Sequence, residues 1–439
     1  MTILIRILKE DEFKMWAEIV GQVVSILNYA LAVLFFLAYL YQLVYIVIGL
    51  IRRKPKYNEA KKNHRIAVVI SARNEENVLP HLIDSIHKQD YPQELIDVLV
   101  IADNCTDTTA QVARDMGAYV FERNNLELIG KGYALDDLFA HLMDSGKIDD
   151  YEAYLILDAD NLLTSRYIRE MNMVFDNGYG ILTSYRNSKN FLHNWITAGY
   201  GLWFLREARY LNNPRAQLGT SCIVSGTGFM FSREVIKKYG GWKFHLLTED
   251  IEFSTQYVLD GGKIGYAADA MLYDEQPTTF GKAWNQRTRW AKGFYQVCGK
   301  HGKGLVKGIF GNFSCYDLLM NIMPAMLISI GMVVVNLLSL IVGACSGTLG
   351  LVSAGLWGLV GTIGYFYCFL FVVGLITLIT EWEAIIGSAA KKILYAFTFP
   401  LFMFTYFPIA IYALFKKTIV WKPIEHTDSK SIDELNGKK

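Results

Sequence analysis

Three long stretches of this chain contain no Asp, Glu, Lys or Arg: between Glu18 and Arg52, between Asp317 and Glu381, and between Lys392 and Lys416. A helix crosses a bilayer with roughly 20 consecutive apolar residues, its backbone polar groups satisfied within the segment. The first gap holds one such span, at 27–51. The second holds two, with a turn near 343–350. The third fits one more, in which Pro400 and Pro408 mark a kink or a re-entrant turn. A long buried helix of a soluble protein would explain a single gap; three in one chain favour the membrane.

The residues after the first gap set the orientation. Residues 52–65 carry seven Lys or Arg, and such segments stay on the cytoplasmic side. The following domain is therefore expected in the cytoplasm, in a multi-pass protein of the cell membrane. The first apolar run is too long for a cleavable signal peptide, and no small-residue cleavage site follows it. The C-terminal end leaves two topologies open. Two spans across the second gap return the chain to the cytoplasm, and a further full crossing would put Lys416, Lys417 and Lys422 outside, against the charge rule. Either 393–415 dips in and out, or the second gap hides three short spans.

Lys and Arg number 43 against 42 Asp and Glu, a net charge of +1, without the basic excess of a nucleic-acid binder. The six cysteines form no CxxC pair and have no histidine at ligand spacing, which reads as reduced residues and not as a disulfide or zinc framework. Between the apolar ends, strand-like and helix-like segments alternate. RIAVVI (65–70), IDVLVI (96–101), AYVFE (118–122) and YLILDAD (154–160) read as strands. Val78, Leu79, Leu82, Ile83 and Ile86 recur at helical spacing, a second helix runs from Thr106 to Gly117, and a third covers 132–146. This alternation predicts a mostly parallel sheet with ligands at the carboxyl ends of its strands. SARNEE (71–76), ADNCTD (102–107) and DAD (158–160) fall at those ends.

Several of these residues suit chemistry. Asp158 and Asp160 both face a ligand if the strand breaks there, and carboxylates suit Mg2+ or Mn2+ completed by substrate phosphates; Asp160 and Asn161 equally suit the cap of a following helix. Thr106 or Asp107 caps the helix after ADNCTD, which leaves Asp103 free. Lys131 is either a solvated loop charge or a point charge for phosphate. Thr248, Glu249 and Asp250 precede a helix, where acids complement the dipole; a carboxylate there also serves as a general base beside a hydroxyl. QRTRW (286–290) supplies bidentate donors for phosphate oxygens and an indole face for a sugar. It equally suits an interfacial helix anchored at lipid headgroups.

Taken in order, NEE, D, K, DxD, TED, QxxRW and then membrane, the chain resembles the membrane-embedded family 2 glycosyltransferases: cellulose, chitin, hyaluronan and poly-N-acetylglucosamine synthases. SARNEE, ADNCTD, GKGYAL (130–135), DAD, SGTGFM (225–230), TED (248–250) and QRTRW carry the resemblance, which covers about residues 20–415. It implies an α/β GT-A domain joined to an α-helical transmembrane region, a UDP-sugar donor (UDP-glucose or UDP-N-acetylglucosamine), Mg2+ or Mn2+, and inverting transfer. By the same resemblance Ala72, Asn74, Glu75 and Asp103 bind uridine, Lys131 and Asp158 meet nucleotide and phosphate, and Asp160 with Asp158 holds the metal. Gly226, Thr227, Gly228 and Glu249 lie near the acceptor, and Asp250 is its base. Gln286, Arg289 and Trp290 clamp diphosphate and acceptor sugar, with Arg287 as a helper.

The implied activity is processive synthesis of a β-linked polysaccharide at the cytoplasmic face, with export across the membrane. Transfer to a lipid acceptor is one alternative. A non-catalytic exporter is another, and it predicts a damaged acid set, whereas Asp103, Asp158, Asp160 and Asp250 are all present. Expected partners are the UDP-sugar, a growing polysaccharide or lipid acceptor, the lipid bilayer, and an accessory subunit or homo-oligomer that completes a channel; nucleic acid is not among them. The expected organisation is an N-terminal span (1–51), a GT-A domain (52–280), amphipathic interface helices (281–312), C-terminal spans (313–417) and a polar tail (418–439). Three departures stand out. Ala102 replaces the first of two adjacent aspartates, no FxVTxK-like gating segment or cellulose-synthase-type regulatory domain follows the last span, and TED stands where hyaluronan synthases have GDD.

Overall fold

The computed structural model describes residues 2–322, 324–417, 419 and 430–436. Most of the expected polar tail, Lys422 included, lies outside the described residues. Eight strands form one sheet: β1 (Ile66–Ala72), β2 (Ile96–Asp103), β3 (Tyr119–Arg123), β4 (Ala153–Asp158), β5 (Leu162–Leu163), β6 (Ile181–Ser188), β7 (Phe229–Ser232) and β8 (Ile264–Asp274), in the order β3-β2-β1-β4-β7-β6-β8-β5. The first four strands pair in parallel, as do β6 and β8; β7 and β5 run antiparallel to their neighbours.

The chain enters through α1 (Thr2–Ile51). Around the sheet lie α2 (Leu79–His87), α3 (Thr109–Asp115), α4 (Lys131–Asp144), α5 (Tyr167–Asp176), α6 (Trp195–Glu207), α7 (Asn213–Leu218), α8 (Arg233–Lys238) and α9 (Glu249–Leu259). Side chains alternate across a strand, and β1 is apolar on both sides, so both of its faces are covered. Ala67 and Val69 pack with Leu135 and Leu138 of α4. Ile66, Val68 and Ile70 pack with Leu82, Ile83 and Ile86 of α2. The expected start of α3 moves from Thr106 to Thr109. The Asp107 carboxylate accepts from the Thr109 backbone N–H at 3.0 Å, while Thr106 is held by Asn74.

Beyond the sheet come α10 (Phe280–Gly308), α11 (Phe313–Ile322), α12 (Pro324–Ser346), α13 (Leu349–Thr380), α14 (Ala389–Phe404), α15 (Tyr406–Phe415) and, after the tail, α16 (Ile432–Asn436). Among the described residues, four segments are long and apolar enough to cross a membrane: Glu18–Ile51, Ile328–Ser346, Leu349–Thr380 and Ala389–Phe415. The second charge-free gap is thus two long helices, α12 and α13, and not three short ones. The fourth segment bends at Thr405, three residues before Pro408, where proline cannot donate to the preceding turn. Both of its ends touch the sheet domain. Ahead of α14, Asn187 Nδ2 donates to the Ala384 carbonyl at 2.8 Å. Past α15, Lys416 lines the same pocket as Asp158. Both ends of this apolar segment therefore lie beside the sheet domain, with Lys416 at its cavity.

Polar contacts at several levels fix α1 to the rest. Asn28 and Asn336 of α12 exchange side-chain hydrogen bonds at 2.8 and 2.9 Å. Nearer the sheet, Tyr41 and Tyr45 donate to Asp317 of α11 at 3.0 and 2.9 Å, and Arg215 of α7 grips the same carboxylate with two N–H donors at 2.7 and 2.8 Å.

Candidate active site

Register aligns the carboxyl ends of the parallel strands. Ser71 at the end of β1 stands opposite Ile101 of β2 and Asp158 of β4. A cavity of about 640 Å³ opens over these ends and runs from Arg73 and Asp103, past Asp158 and Asp160, to Asp250 and Trp290. The loops after β1 and β2 are laced together at its rim. Asn74, with φ of 59°, accepts from the Thr106 backbone N–H at 2.8 Å. The Glu76 carboxylate accepts from the Thr108 backbone N–H and hydroxyl at 2.9 and 2.6 Å, and the Glu75 N–H donates to the Thr109 hydroxyl at 2.8 Å.

Of the residues expected to bind uridine, Glu75 and Asp103 line the cavity. Ala72 is buried in the sheet and Asn74 is spent on the loop junction, so neither side chain faces the cavity. Asp103 is not free. Arg123 of the neighbouring strand, its register partner, donates to it at 2.7 Å, and Asn104 donates at 2.9 Å. Lys131 opens α4 and reaches in, with Nζ donating to Asp158 at 2.5 Å and to the Gly226 carbonyl at 2.9 Å.

The DAD turn caps no helix, because the short strand β5 follows it. Asp160 is buried and accepts from the Glu275 backbone N–H at 2.7 Å. Thr227 sits behind the turn. Its hydroxyl accepts from the Asp158 N–H at 2.9 Å and donates to Asn161 at 2.5 Å, so it braces the turn and does not face the acceptor. Gly228 also lies behind the wall. At φ of +67° a Cβ there would meet Leu272 at 2.1 Å, which leaves Ser225 and Gly226 as the members of SGTG that line the cavity.

The far side of the cavity is built by α9 and α10. Gln286, Arg289, Trp290 and Gly293 share one face of α10, at i, i+3, i+4 and i+7. The Arg289 guanidinium donates to the Leu247 carbonyl at 3.1 Å. Trp290 meets Tyr200 edge-on at 5.8 Å and Phe204 at 6.4 Å. Gly293 lets the helix approach the TED loop, since a Cβ there would meet the Thr248 side chain at 2.5 Å. Arg287 points the other way. It donates to the Phe402 carbonyl and the Thr405 hydroxyl at the bend between α14 and α15, with its guanidinium over the Phe402 and Tyr406 rings. One step along a helix turns a side chain by about 100°, so Arg287 braces the bend and is no helper in the clamp. Gln286 Oε1 and the hydroxyls of Thr248 and Thr288 are buried without a hydrogen-bond partner, and all three residues line the cavity. Buried polar atoms without partners at a cavity wall fit a polar ligand.

Glu249 and Asp250 occupy the first turn of α9, both buried. The Gly226 backbone N–H donates to Asp250 Oδ2 at 2.5 Å. Burial pushes the Glu249 carboxyl up to about 7, with Asp250 adding to the rise and Lys131 and Arg289 opposing it. Asp250 is also raised by burial, against the backbone N–H groups of Ile251 and Gly226. The two titrate as a pair, and the hydrogen bond from Gly226 favours the charge on Asp250. A base works only when ionised, so if Asp250 has the role that the resemblance implies, activity should climb as pH rises through the pair's range. Glu249→Gln removes the neighbouring negative charge, makes Asp250 easier to ionise, and should move the acid limb of kcat/KM to lower pH. A limb that stays in place would show that Asp250 is not the titrating base.

Residues missed from the sequence belong to β6 and β8, whose strand ends were not identified. Arg186 donates to Asp274 at 2.6 Å and stacks on Phe204 at 3.8 Å. Burial pushes the Asp274 carboxyl up to about 6, opposed by Arg186 and reinforced by Asp160 and Asp158. Mutually repelling carboxylates at a cavity fit a divalent cation. Among the described residues no group of three His, Cys, Asp or Glu side chains is arranged to hold a metal ion.

Solved and curated proteins agree with this architecture. The structure of a mannosyltransferase from Pyrobaculum calidifontis, in complex with GDP-Man and Mn2+, superposes with a TM-score of 0.52 at 18% identity, covering 90% of this chain and all of that one. A beta-monoglucosyldiacylglycerol synthase of Synechocystis is 25% identical over 238 residues, 53% of this chain and 48% of the relative. A poly-beta-1,6-N-acetyl-D-glucosamine synthase of Staphylococcus epidermidis is 26% identical over 261 residues, 56% of this chain and 60% of the relative. The chain spans about half the length of the first curated relatives it matches. Residues 64–293, more than half of the chain and all of the sheet with the first half of α10, match the family described as glycosyltransferase like family 2, and the protein belongs to that family.

Proposed function

We propose that the chain is an inverting, UDP-sugar-dependent glycosyltransferase that extends a β-linked polysaccharide at the cytoplasmic face and passes it across the membrane. The observation that carries this reading is that Asp250 lines one cavity together with groups suited to phosphate and rings suited to sugar. Arg289, Lys131 and the amide of Gln286 suit the diphosphate. Trp203, Phe204, Trp284 and Trp290 line the same cavity and suit sugar rings. Asp250 takes the proton of the acceptor hydroxyl as its oxygen bonds to the anomeric carbon, and the bond to the diphosphate breaks in the same in-line step. Asp160 and Asp158 would hold a divalent cation, and the chemistry supplied by such an ion is charge neutralisation at the leaving diphosphate.

A lipid acceptor is the second reading. The cavity continues to Leu211, Phe294 and Ile419 beside the membrane helices, and glucosyldiacylglycerol synthases stand among the relatives. The test is UDP release by purified protein in detergent with Mn2+ or Mg2+, each common UDP-sugar offered alone and the product sized. Release with one donor and a high-molecular-weight product is expected. A lipid-linked mono- or disaccharide as sole product would move the acceptor to lipid, and no release with any donor would contradict the enzyme reading. Asp160→Ala should lose both turnover and its response to added Mn2+; a variant active without metal would refute the metal role.

A further inference from the structure

One carboxylate in the cavity has no part in the chemistry above. Glu207 ends α6, where the helix widens into a π-turn at Ala208–Asn212, a feature frequent at functional sites. It lines the cavity, as do Trp203 and Leu211, one turn before and after it in the helix, and Asp250. Among the described residues its carboxylate accepts one long hydrogen bond, from the Ser225 hydroxyl at 3.4 Å, and forms no ion pair. A carboxylate has about four acceptor positions, so most of this one's capacity is unused. Burial raises its carboxyl, Arg186, Arg215 and Arg206 oppose the rise from a distance, and Asp250 adds to it. Glu207 is half-buried at the cavity wall, and a carboxylate with open acceptor positions at a cavity suits a ligand with hydroxyl donors.

The position of Ser225 says which ligand. Ser225 bonds Glu207, and the N–H of the next residue, Gly226, bonds Asp250. The two carboxylates therefore flank a single dipeptide. An acceptor whose nucleophilic hydroxyl reaches Asp250 has its further hydroxyls at Glu207. We infer that Glu207 is an acceptor-binding residue that receives hydroxyl groups of the unit carrying the nucleophile, and that this unit is a carbohydrate ring with Trp203 beside it. Diacylglycerol, with one free hydroxyl, leaves Glu207 unsatisfied; a saccharide does not. This inference rests on the reading of Asp250 as the base.

The test compares the wild-type protein with Glu207→Gln and Glu207→Asp in detergent, using a short β-linked oligosaccharide of the donor sugar and, separately, dioleoylglycerol as acceptors. Charge-assisted hydrogen bonds of this kind are worth roughly a ten- to hundredfold change in affinity. The KM for the oligosaccharide should rise by that factor in Glu207→Gln, with partial recovery in Glu207→Asp and little change in UDP affinity. An unchanged acceptor KM, or an equal loss of UDP affinity from a general structural defect, overturns the inference. So does a wild-type protein that glycosylates dioleoylglycerol and no saccharide. A wild-type protein that transfers sugar to neither acceptor brings down the Asp250 reading as well, which separates the two failures.

Discussion

Asp250→Asn is expected to slow glycosyl transfer by ~10²–10⁴-fold, the usual worth of a positioned general base, while UDP affinity stays close to that of the wild-type protein. The amide keeps the size of the carboxylate, and its oxygen still accepts from the Gly226 N–H, so the wall of the cavity is preserved. It cannot take a proton from a hydroxyl. The part of the cavity proposed for the nucleotide is built from Glu75, Asp103 and the laced loops, on elements other than α9. The check is a paired measurement of steady-state transfer and UDP binding by calorimetry. Normal turnover in the variant would remove Asp250 from the role of base; a matched loss of UDP affinity would mean that the substitution had disturbed the fold.

The second large effect lies away from the cavity. Arg215 and Asp317 form a bidentate ion pair with each side chain only 1% exposed, and two tyrosine hydroxyls complete the carboxylate. Asp317→Asn leaves the guanidinium buried without a counter-charge, and breaking a buried pair from one side costs about 3–5 kcal/mol. The cost falls on the junction of α1, α7 and α11, where the first apolar helix meets the sheet domain. The variant should lose its monodisperse state on heating at a clearly lower temperature than the wild-type protein. Replacing both partners, as Arg215→Met with Asp317→Leu, should recover much of the loss, because no uncompensated charge is left. Equal heat resistance in Asp317→Asn would show that water reaches the pair.

These contacts also show where sequence is informative. Gln286, Arg289 and Trp290 could be read together because helical spacing alone puts them on one face. Arg287, a neighbour in the same motif, could not be placed, since its direction matters only once α15 is known to lie on that side. Asp103 looked free because its partner, Arg123, is brought alongside by strand pairing. Asp160 looked like a cap because its true donor, the Glu275 N–H, arrives from the end of β8. Glu207 lay in a helix with no motif, and only the cavity picks it out. The charge rule left the third apolar gap undecided, because the contacts of its two ends with the sheet domain, through Asn187 and at the cavity of Lys416, join residues far apart in sequence.

The proposed proton removal by Asp250 in a single displacement would have one stereochemical consequence, inversion at the anomeric carbon. The direct measurement is proton NMR of the first product formed from an α-linked UDP-sugar, recorded before any anomeric equilibration. The expected result is a newly formed glycosidic bond in the β configuration. A bond formed with retained α configuration would require a different nucleophile from the acceptor hydroxyl that Asp250 is placed to activate, and would contradict the mechanism.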